Sequence, residues 1–263
     1  MFNGAESAVA LNLAAEVATY FHAHIEVVAA GLAGPRSGQS YTTLRSVDIT
    51  PDIDQGVFSL FEAWRHQRCL DLQPECVYRG LASTSLVVHN DTTESGVANR
   101  ARLADFVCFA VEPGEAEIQR TRVLHSLLFS SGRPILFRPV REDTKDAAIM
   151  GEPIVIGWNG SVEAVRAVTG ALPFIQTSRL VQVISIGEKS VNAFDAYELA
   201  KYLSWSGVRA AAAGIAMEDW TGGDIVDAAL DRGAKLLVMG ARVNGNATNH
   251  MFQTLPMTVL MAA

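Results

Sequence analysis

The chain has 263 residues, of which 49% are hydrophobic, and it carries a formal net charge of −7 with a pI of about 5.4. This acidic balance argues against an extended nucleic-acid surface. The sequence has no run of about 18 apolar residues, which a membrane span would need, and no recognisable secretory signal. The three cysteines form no Cys-x-x-Cys pair and are typical of free thiols in a reducing compartment, so we expect a cytoplasmic protein of roughly two domains.

The first half of the chain alternates predicted helices and strands. Apolar residues at helical spacing predict a helix over 5–22, and a run with β-branched residues predicts a strand at 25–30. A polar, glycine-rich stretch at 34–46 leads to a predicted helix near 51–72. Further on we expect strands at 86–88, 106–111 and 135–137, with a helix near 93–103.

The second half shows the same alternation more clearly. A continuous apolar strand at 153–158 precedes Ser161, which is predicted to cap a helix with apolar positions from 164 to 175. The remaining predicted elements are a strand at 180–186, a helix at 194–203 ended by Gly207, a strand at 208–216, a helix at 225–230 ended by Gly233, a strand at 236–239, a short helix at 249–254 and a strand at 259–261. This order predicts parallel strands with right-handed crossovers, and ligands bind such sheets beyond the carboxyl ends of the strands.

The two halves also repeat one another. Phe2-Asn3-Gly4 matches Trp158-Asn159-Gly160 at an offset of 156, which holds for residues 24–31 against 180–187, and residues 103–110 match 233–240 at an offset of 130. A repeat this long indicates a tandem domain rather than a solenoid, whose period is about 20–50 residues. We therefore predict two units, 1–142 and 150–263, joined through the charged segment 141–146.

The first unit is predicted to lack its first strand. Asn3 lies just after the point where that strand should end, so its residues would fall upstream of Met1 through a late start or truncation, unless another segment takes their place. In a doubly wound sheet this strand is central. We expect its absence to separate the two strands that it would have joined and to lower stability.

Five stretches, 101–105, 127–137, 155–168, 235–241 and 248–261, together resemble the tandem universal stress proteins. The resemblance implies α/β units that are Rossmann-like, of the adenine nucleotide alpha hydrolase type: two tandem open parallel five-stranded sheets with helices on both faces, packed as an internal pseudo-dimer. Some members of the family bind ATP. They use an Asp after strand one and a loop of the form Gly-x2-Gly-x9-Gly-Ser/Thr after strand four, where glycines let backbone N–H groups approach phosphates.

Both units depart from that loop. In the second unit Gly240 and Gly245 match the first and third glycines but lie five positions apart instead of thirteen, and Asn246 replaces Ser or Thr. In the first unit Ala110 replaces the first glycine, and carboxylates follow where phosphates would need donors, at Glu112, Glu115 and Glu117. Asn3 and Asn159 replace the acidic residue after strand one, and a neutral amide can still bind a ribose or a base.

The remnant nucleotide pocket would comprise six residues of the second unit, namely Asn159, Ile186, Met239, Gly240, Gly245 and Asn246. Other local patterns have simpler interpretations. Asn159-Gly160-Ser161 is more typical of a turn that ends a strand and caps a helix than of an active site. Residues 130–134 could bind an anion through Arg133, but they suit a helix end followed by a strand start. The six histidines show no metal spacing.

These observations predict a non-catalytic, stress-linked regulatory binding module that has degenerate ATP-binding loops and needs no cofactor. It would act through its internal pseudo-dimer, possibly as a homodimer, with a protein or small-molecule partner and without nucleic acid or membrane. The alternative is a nucleotide-binding protein with weak ATPase activity and a non-standard pocket. A third reading, an enzyme with a small-molecule substrate, rests on analogy of fold alone.

Overall fold

The structure is a computed structural model that describes residues 4–30, 63, 84–89, 94–111, 118–141, 147–186, 196–215, 222–241 and 255–263. Its helices are Gly4–Phe21 (α1), Glu94–Ala101 (α2), Ile118–Ser130 (α3), Val162–Thr177 (α4), Ala196–Trp205 (α5) and Gly222–Asp231 (α6). Its strands are Ile25–Ala30 (β1), Thr84–His89 (β2), Val107–Val111 (β3), Ile135–Pro139 (β4), Ile154–Gly157 (β5), Val181–Ile186 (β6), Ala210–Ile215 (β7), Leu236–Gly240 (β8) and Thr258–Ala262 (β9).

Seven of the strands form one sheet in the order β3-β4-β9-β8-β5-β6-β7. All neighbours in this sheet are parallel except β4 and β9, which run antiparallel with Ile135 opposite Met261 and Phe137 opposite Val259. The other two strands, β1 and β2, pair in parallel as a separate sheet. The predicted α/β class with helix-flanked parallel strands is confirmed.

The strands are nevertheless distributed differently from two separate five-stranded sheets. Because β4 and β9 are wholly buried, each needs a hydrogen-bonding neighbour along its second edge, and each supplies that neighbour to the other. On the far side of β4 the large sheet stops at β3, and within the described residues no strand joins β3 to β1. This gap is where the first strand of the first unit was predicted to be missing.

Helix α1 holds the smaller sheet against the larger one, because it contacts β1, β3 and β4. Leu13 and Val17 of this helix belong to the same core as Leu136 of β4, whereas Ala18 packs against Ile25 at the start of β1. On the other side of the smaller sheet, Arg100 of α2 donates from Nε to Oε1 of Glu26 in β1 at 2.7 Å. The smaller sheet is therefore anchored through helices rather than through strand pairing.

Most predicted elements of both halves are present within a few residues of their expected bounds. Gly207 and Gly233 have φ values of +79° and +66° and end α5 and α6 as predicted, since only a residue without Cβ adopts this conformation readily. No bounds were predicted for helix α3, although Gly132 was interpreted as the end of a helix. Leu124, Leu127 and Leu128 supply its buried face. The predicted helices near 51–72 and 249–254 lie outside the described residues.

The two faces of the large sheet carry separate cores. On one face Phe174 of α4 makes edge-to-face contacts with Phe21 and Phe106, with ring centroids 5.6 and 5.2 Å apart. Close by, a Cβ at Gly170 would lie 2.9 Å from Cγ of Pro134, so α4 packs tightly against the start of β4. Contacts across the two halves therefore belong to the core itself. No helix among the described residues is long and apolar enough to cross a bilayer.

Candidate functional site

The carboxyl ends of β8, β5 and β6 lie side by side at one edge of the large sheet. Gly157, the last residue of β5, is paired with Met239 of β8 on one side and with Ile184 of β6 on the other. Asn159 follows β5, Ile186 ends β6 and Gly240 ends β8. The structure thus brings four of the six predicted pocket residues to one edge, and Gly245 and Asn246 lie outside the described residues.

The turn after β5 is built by its own side chains. The backbone N–H of Ser161 donates to Oδ1 of Asn159 at 3.1 Å, and Oγ of Ser161 accepts from the backbone N–H of Ala164 at 3.2 Å. Ser161 is the N-cap of α4, as predicted from the sequence. The interpretation of Asn159-Gly160-Ser161 as a strand-ending, helix-capping turn is confirmed. Two amide donors that could have faced an anion at this helix start are already bonded.

Gly240 lies directly against the first turn of α4. A Cβ placed on it would lie 2.5 Å from the backbone nitrogen of Ala164 and 2.6 Å from the carbonyl carbon of Glu163. Even the smallest side chain would collide with backbone atoms at that distance. Gly240 therefore lets the end of β8 and the start of α4 touch, and this contact closes the space between them.

Apolar side chains fill the region next to this contact. A Cβ at Gly157 would meet Cγ1 of Ile225 at 3.1 Å and Cβ of Met239 at 3.7 Å, so α6 packs closely over the end of β5. Trp158, the next residue, is buried in the core on the opposite face, and its backbone N–H donates to the carbonyl of Ile184 at 2.7 Å. The end of β5 is thus enclosed by Ile225 on one face and Trp158 on the other.

Two charged side chains near this edge stabilise the fold. Glu163 lies in the first turn of α4, where a carboxylate stabilises the positive end of the helix dipole. Arg166, almost one turn later, donates from its guanidinium to the carbonyl oxygen of Ala263 at 2.9 Å. An acidic side chain at the helix start opposes the approach of a phosphate, because like charges repel at short range.

Among the described residues, the corresponding edge of the first half shows no glycine contact of this kind. Ala110 is buried near the end of β3 and is paired with Arg138 of β4. Two positions earlier in β3, burial raises the pKa of the Cys108 thiol to about 12, Arg138 lowers it and Glu16 raises it further. Cys108 is therefore a protonated thiol at neutral pH. Asn3, Glu112, Glu115 and Glu117 lie outside the described residues.

The turn at residues 130–134 is also held by hydrogen bonds to the protein's own groups. Gly132 has a φ of +69°, and the backbone N–H of Arg133 donates to Oγ of Ser131 at 3.0 Å. The guanidinium of Arg133 donates to the carbonyl of Arg102 at 2.8 Å, and the guanidinium of Arg102 donates to the carbonyl of Ser130 at 2.9 Å. The helix-ending interpretation is confirmed, and both arginines fasten the turn to the segment after α2.

Two histidines flank the turn between α1 and β1. His22 and His24 are both exposed there, and His22 adopts a φ of +54°. Across the described ranges, no three His, Cys, Asp or Glu side chains gather in a way that could hold a metal ion.

Sequence reasoning missed a buried polar network between the halves. Arg138 of β4 is almost fully buried and donates to Oγ1 of Thr258 in β9 at 3.0 Å and to the carbonyl of Ala147 at 2.8 Å. Its guanidinium also lies 3.4 Å from Oε2 of Glu16 in α1. The other carboxylate oxygen, Oε1, accepts from the backbone N–H groups of Ile149 and Met150. The available signal was a single charge inside an otherwise apolar strand.

Solved structures with a similar fold are known. The structure is similar to a putative universal stress protein from Pseudomonas aeruginosa UCBPP-PA14, with a TM-score of 0.55 and 15% identity over 96% of this chain and 87% of that chain. It is also similar to a universal stress protein from Archaeoglobus fulgidus DSM 4304, with a TM-score of 0.51 and 13% identity over 82% and 81% of the two chains. A functionally unknown protein, PA1789 from Pseudomonas aeruginosa PAO1, matches with a TM-score of 0.52 and 14% identity over 96% and 86%.

No protein-family model and no curated protein sequence matches the chain. The likeness is therefore one of three-dimensional structure at low identity. Each of the three solved structures matches more than four fifths of this chain, so the similarity includes both sides of the β4–β9 junction. The chain has the fold of solved universal stress proteins.

Proposed function

We propose that the chain is a universal-stress-type regulatory binding module, located in the cytoplasm, that is built from two diverged copies of one unit and holds no triphosphate. The observation that carries the proposal is the contact between Gly240 and the first turn of α4. It leaves no space between the end of β8 and the backbone of Glu163 and Ala164. The backbone N–H of Ala164, in the first turn of α4, donates to Oγ of Ser161, so this helix start is closed by the protein's own groups.

The match between element bounds supports the two-copy part of the proposal. At the offset of 156, Phe21 falls on Thr177 and Ile25–Ala30 falls on Val181–Ile186, which are the end of α4 and the whole of β6. The antiparallel pair also favours it. In the register of β4 and β9, Leu136 faces Leu260 with equivalent neighbours on both sides, as an internal two-fold relation between copies requires.

Two side chains at the turn after β5 support the absence of a triphosphate. Asn159 uses its carboxamide oxygen within the turn, and Glu163 places negative charge beside it. The remnant pocket around Asn159, Ile186, Met239 and Gly240 remains a proposal for a small neutral ligand or a nucleoside. Its rival is the ATP-binding protein with weak ATPase activity, which would hold the phosphates with residues beyond Gly240.

A thermal-shift titration with ATP and Mg²⁺ separates these two functions. A ligand at a hundred times its dissociation constant stabilises the fold by about 2.7 kcal/mol, which would raise the melting temperature by roughly 5–10 °C for a protein of this size. We expect no shift at millimolar ATP. A saturable shift, together with slow release of phosphate that Asn159→Ala abolishes, would establish the rival instead.

A loop graft tests whether the short spacing between Gly240 and Gly245 is the reason that no triphosphate binds. Replacing residues 242–244 with an eleven-residue segment that carries the middle glycine restores the family's spacing, and Asn246→Ser with Asn159→Asp restores its side chains. We expect the graft to bind ATP where the unaltered chain does not, because a longer glycine-bearing loop can direct N–H groups at phosphates. Micromolar ATP binding by the unaltered chain would show that the short spacing is no barrier.

The regulatory role is tested in the organism that encodes the chain. We expect its abundance to rise several-fold on growth arrest or oxidative challenge, and we expect a deletion strain to survive these conditions less well. Complementation with Gly240→Ala, which disturbs the edge, should fail if that edge carries the function. Equal survival of the deletion strain under every challenge would contradict a stress-linked role.

A further inference from the structure

Asn159 and Gly160 form an Asn-Gly pair in the turn after β5, and both residues are exposed. Gly160 has a φ of +70°, a conformation that glycine adopts readily because it has no Cβ. For the same reason, no side chain of its own shields the backbone nitrogen of Gly160. The carboxamide carbon of Asn159, Cγ, therefore has an accessible nitrogen nucleophile one residue further along the chain.

The hydrogen bond within this turn prepares the carboxamide for attack. Oδ1 of Asn159 accepts from the backbone N–H of Ser161 at 3.1 Å. The ring that this hydrogen bond closes contains both Cγ of Asn159 and the backbone nitrogen of Gly160, so the side chain is folded back over the peptide group that would attack it. An N–H that donates to a carbonyl oxygen also stabilises the negative charge that develops there when a nucleophile adds, as in an oxyanion hole.

The start of α4 favours the same negative charge. Ser161 is the N-cap of this helix, so the positive end of the helix dipole lies at the turn. The dipole stabilises both an oxyanion on Asn159 and a carboxylate formed from it. Glu163, in the first turn of the helix, carries the charge that opposes them. The turn thus combines an accessible nucleophile with two sources of stabilisation for the developing charge.

We propose that Asn159 is a self-modification site, where the chain converts this residue to aspartate or isoaspartate with water as the only co-reactant. The backbone nitrogen of Gly160 gives its proton to hydroxide and bonds to Cγ of Asn159. The Cγ–Nδ2 bond breaks, and Nδ2 takes a proton from water and leaves as ammonia, which regenerates the hydroxide. Water then opens the cyclic succinimide. Each event adds one water, releases one ammonia and creates one carboxylate, and nothing is oxidised or reduced.

The two directions of ring opening have different effects on the turn. Cleavage between Cγ and the nitrogen gives aspartate, whose carboxylate can still accept from the N–H of Ser161. Cleavage between the main-chain carbonyl carbon of Asn159 and the nitrogen gives isoaspartate, in which the backbone runs through Cβ and Cγ and is one atom longer. The aspartate form therefore keeps the turn, and the isoaspartate form changes its length.

The turn is held on both sides, so the structure resists an extra backbone atom. Before it, the backbone N–H of Trp158 donates to the carbonyl of Ile184 at 2.7 Å. After it, Oγ of Ser161 caps α4 by accepting from the backbone N–H of Ala164 at 3.2 Å. An additional atom between these points displaces Ser161 and removes the cap, beside the contact of α4 with Gly240. The isoaspartate form thus alters this edge as the molecule ages, without a second protein.

Incubation of the purified chain at neutral pH tests the proposal, with tryptic peptide mapping by mass spectrometry. Residues 146–166 form one tryptic peptide, in which Asn159 is the only Asn or Gln. Asn159 should be converted at least about tenfold faster than Asn99, which is also exposed but lies in α2 and precedes Arg100. The reaction should accelerate as pH rises, because the attacking nitrogen must lose its proton. An Asn159 that stays intact as long as Asn99 does would overturn the proposal.

Asn159→Ser is the matched control, because its hydroxyl keeps an oxygen acceptor for the N–H of Ser161 but cannot form a succinimide. Its peptide should stay unchanged throughout the incubation, and a circular dichroism melt verifies that the variant is folded. A mass change of the same size in the peptide of Asn159→Ser would place the reaction at another residue and contradict the proposal.

The ratio of aspartate to isoaspartate supplies an independent measurement. It should be higher in the folded chain than in the chain unfolded in urea, because the bonds at Trp158 and Ser161 resist the longer backbone. Chain enriched in isoaspartate should exchange the first-turn amides of α4 faster than fresh chain, whereas Asn159→Asp should match fresh chain. Equal ratios, or unchanged exchange in the isoaspartate form, would refute the role of the turn. No ligand enters these measurements, so their outcome is independent of ATP binding.

Discussion

Nε of Arg138 donates to Oγ1 of Thr258 at 3.0 Å, and this hydrogen bond joins the side chains of β4 and β9 across their antiparallel junction. The same guanidinium binds the carbonyl of Ala147 and lies beside Glu16 of α1. Four separate segments of the chain therefore meet at one buried cation. Its partners come from both predicted units and from the segment between them.

Removing this cation should destabilise the protein strongly. Arg138→Met keeps the aliphatic volume but leaves the hydroxyl, the carbonyl and the carboxylate without their donor, so we expect a loss of about 3 kcal/mol in the free energy of unfolding. Arg179→Met is the matched control, since Arg179 forms an exposed ion pair with Glu152 and should cost less than about 1 kcal/mol. Urea unfolding measures both. Equal effects would mean that the buried network contributes nothing beyond a surface pair.

Cys108 should make stability depend on alkaline pH. Its pKa is raised in the folded protein to about 12 from an ordinary value of 9.0, so its contribution is complete below pH 9 and is lost as pH rises towards 12. Between those values the unfolded chain ionises its thiol and the folded chain does not, which lowers stability by about 1.4 kcal/mol per pH unit. The comparison is between Cys108 and Cys108→Ala, both with Cys69 and Cys76 changed to Ser, at pH 7 and pH 10. Parallel pH profiles for the two proteins would contradict the shift.

Gly240→Ala should disturb the edge at which β8 meets α4. A Cβ there would overlap backbone atoms of Glu163 and Ala164, which cannot move aside as a side chain can, so we expect a loss of about 2 kcal/mol or more. Gly214→Ala is the control, because nothing lies within 4 Å of its new methyl group and the change should stay within about 0.5 kcal/mol. Thermal melts at low protein concentration give both values. If Gly240→Ala melts with the unaltered chain, the contact is not tight.

An added strand should fill the gap that the described residues leave between β1 and β3. The five residues 153–157, which form β5 and its approach in the second half, can be grafted before Phe2 at the position that the repeat assigns to them. We expect higher melting temperature and slower amide exchange in β1 and β3, because both would gain a hydrogen-bonded neighbour. A Gly-Ser extension of the same length is the control. Identical melting and exchange for the two extensions would refute the idea.

Local chemistry was readable from the sequence, and distant contacts were not. The cap at Ser161, the helix ends at Gly207 and Gly233 and the strand Ile25–Ala30 all depend on neighbouring residues, and each was predicted. The closing of β5 by Ile225 depends on how α6 crosses the sheet, so no short pattern encodes it. Similarly, β4 and β9 are both buried along their whole length, and a strand without alternation gives no sign of its partner or direction.

The antiparallel junction also fixes which way each half of the large sheet faces. Strand β3 runs with β4, whereas β5, β6 and β8 run with β9, so the carboxyl ends of the two groups open at opposite margins of the sheet. The two margins lie a full strand length apart, so one small molecule cannot contact both. Residues at one margin can therefore be substituted without altering the geometry of the other.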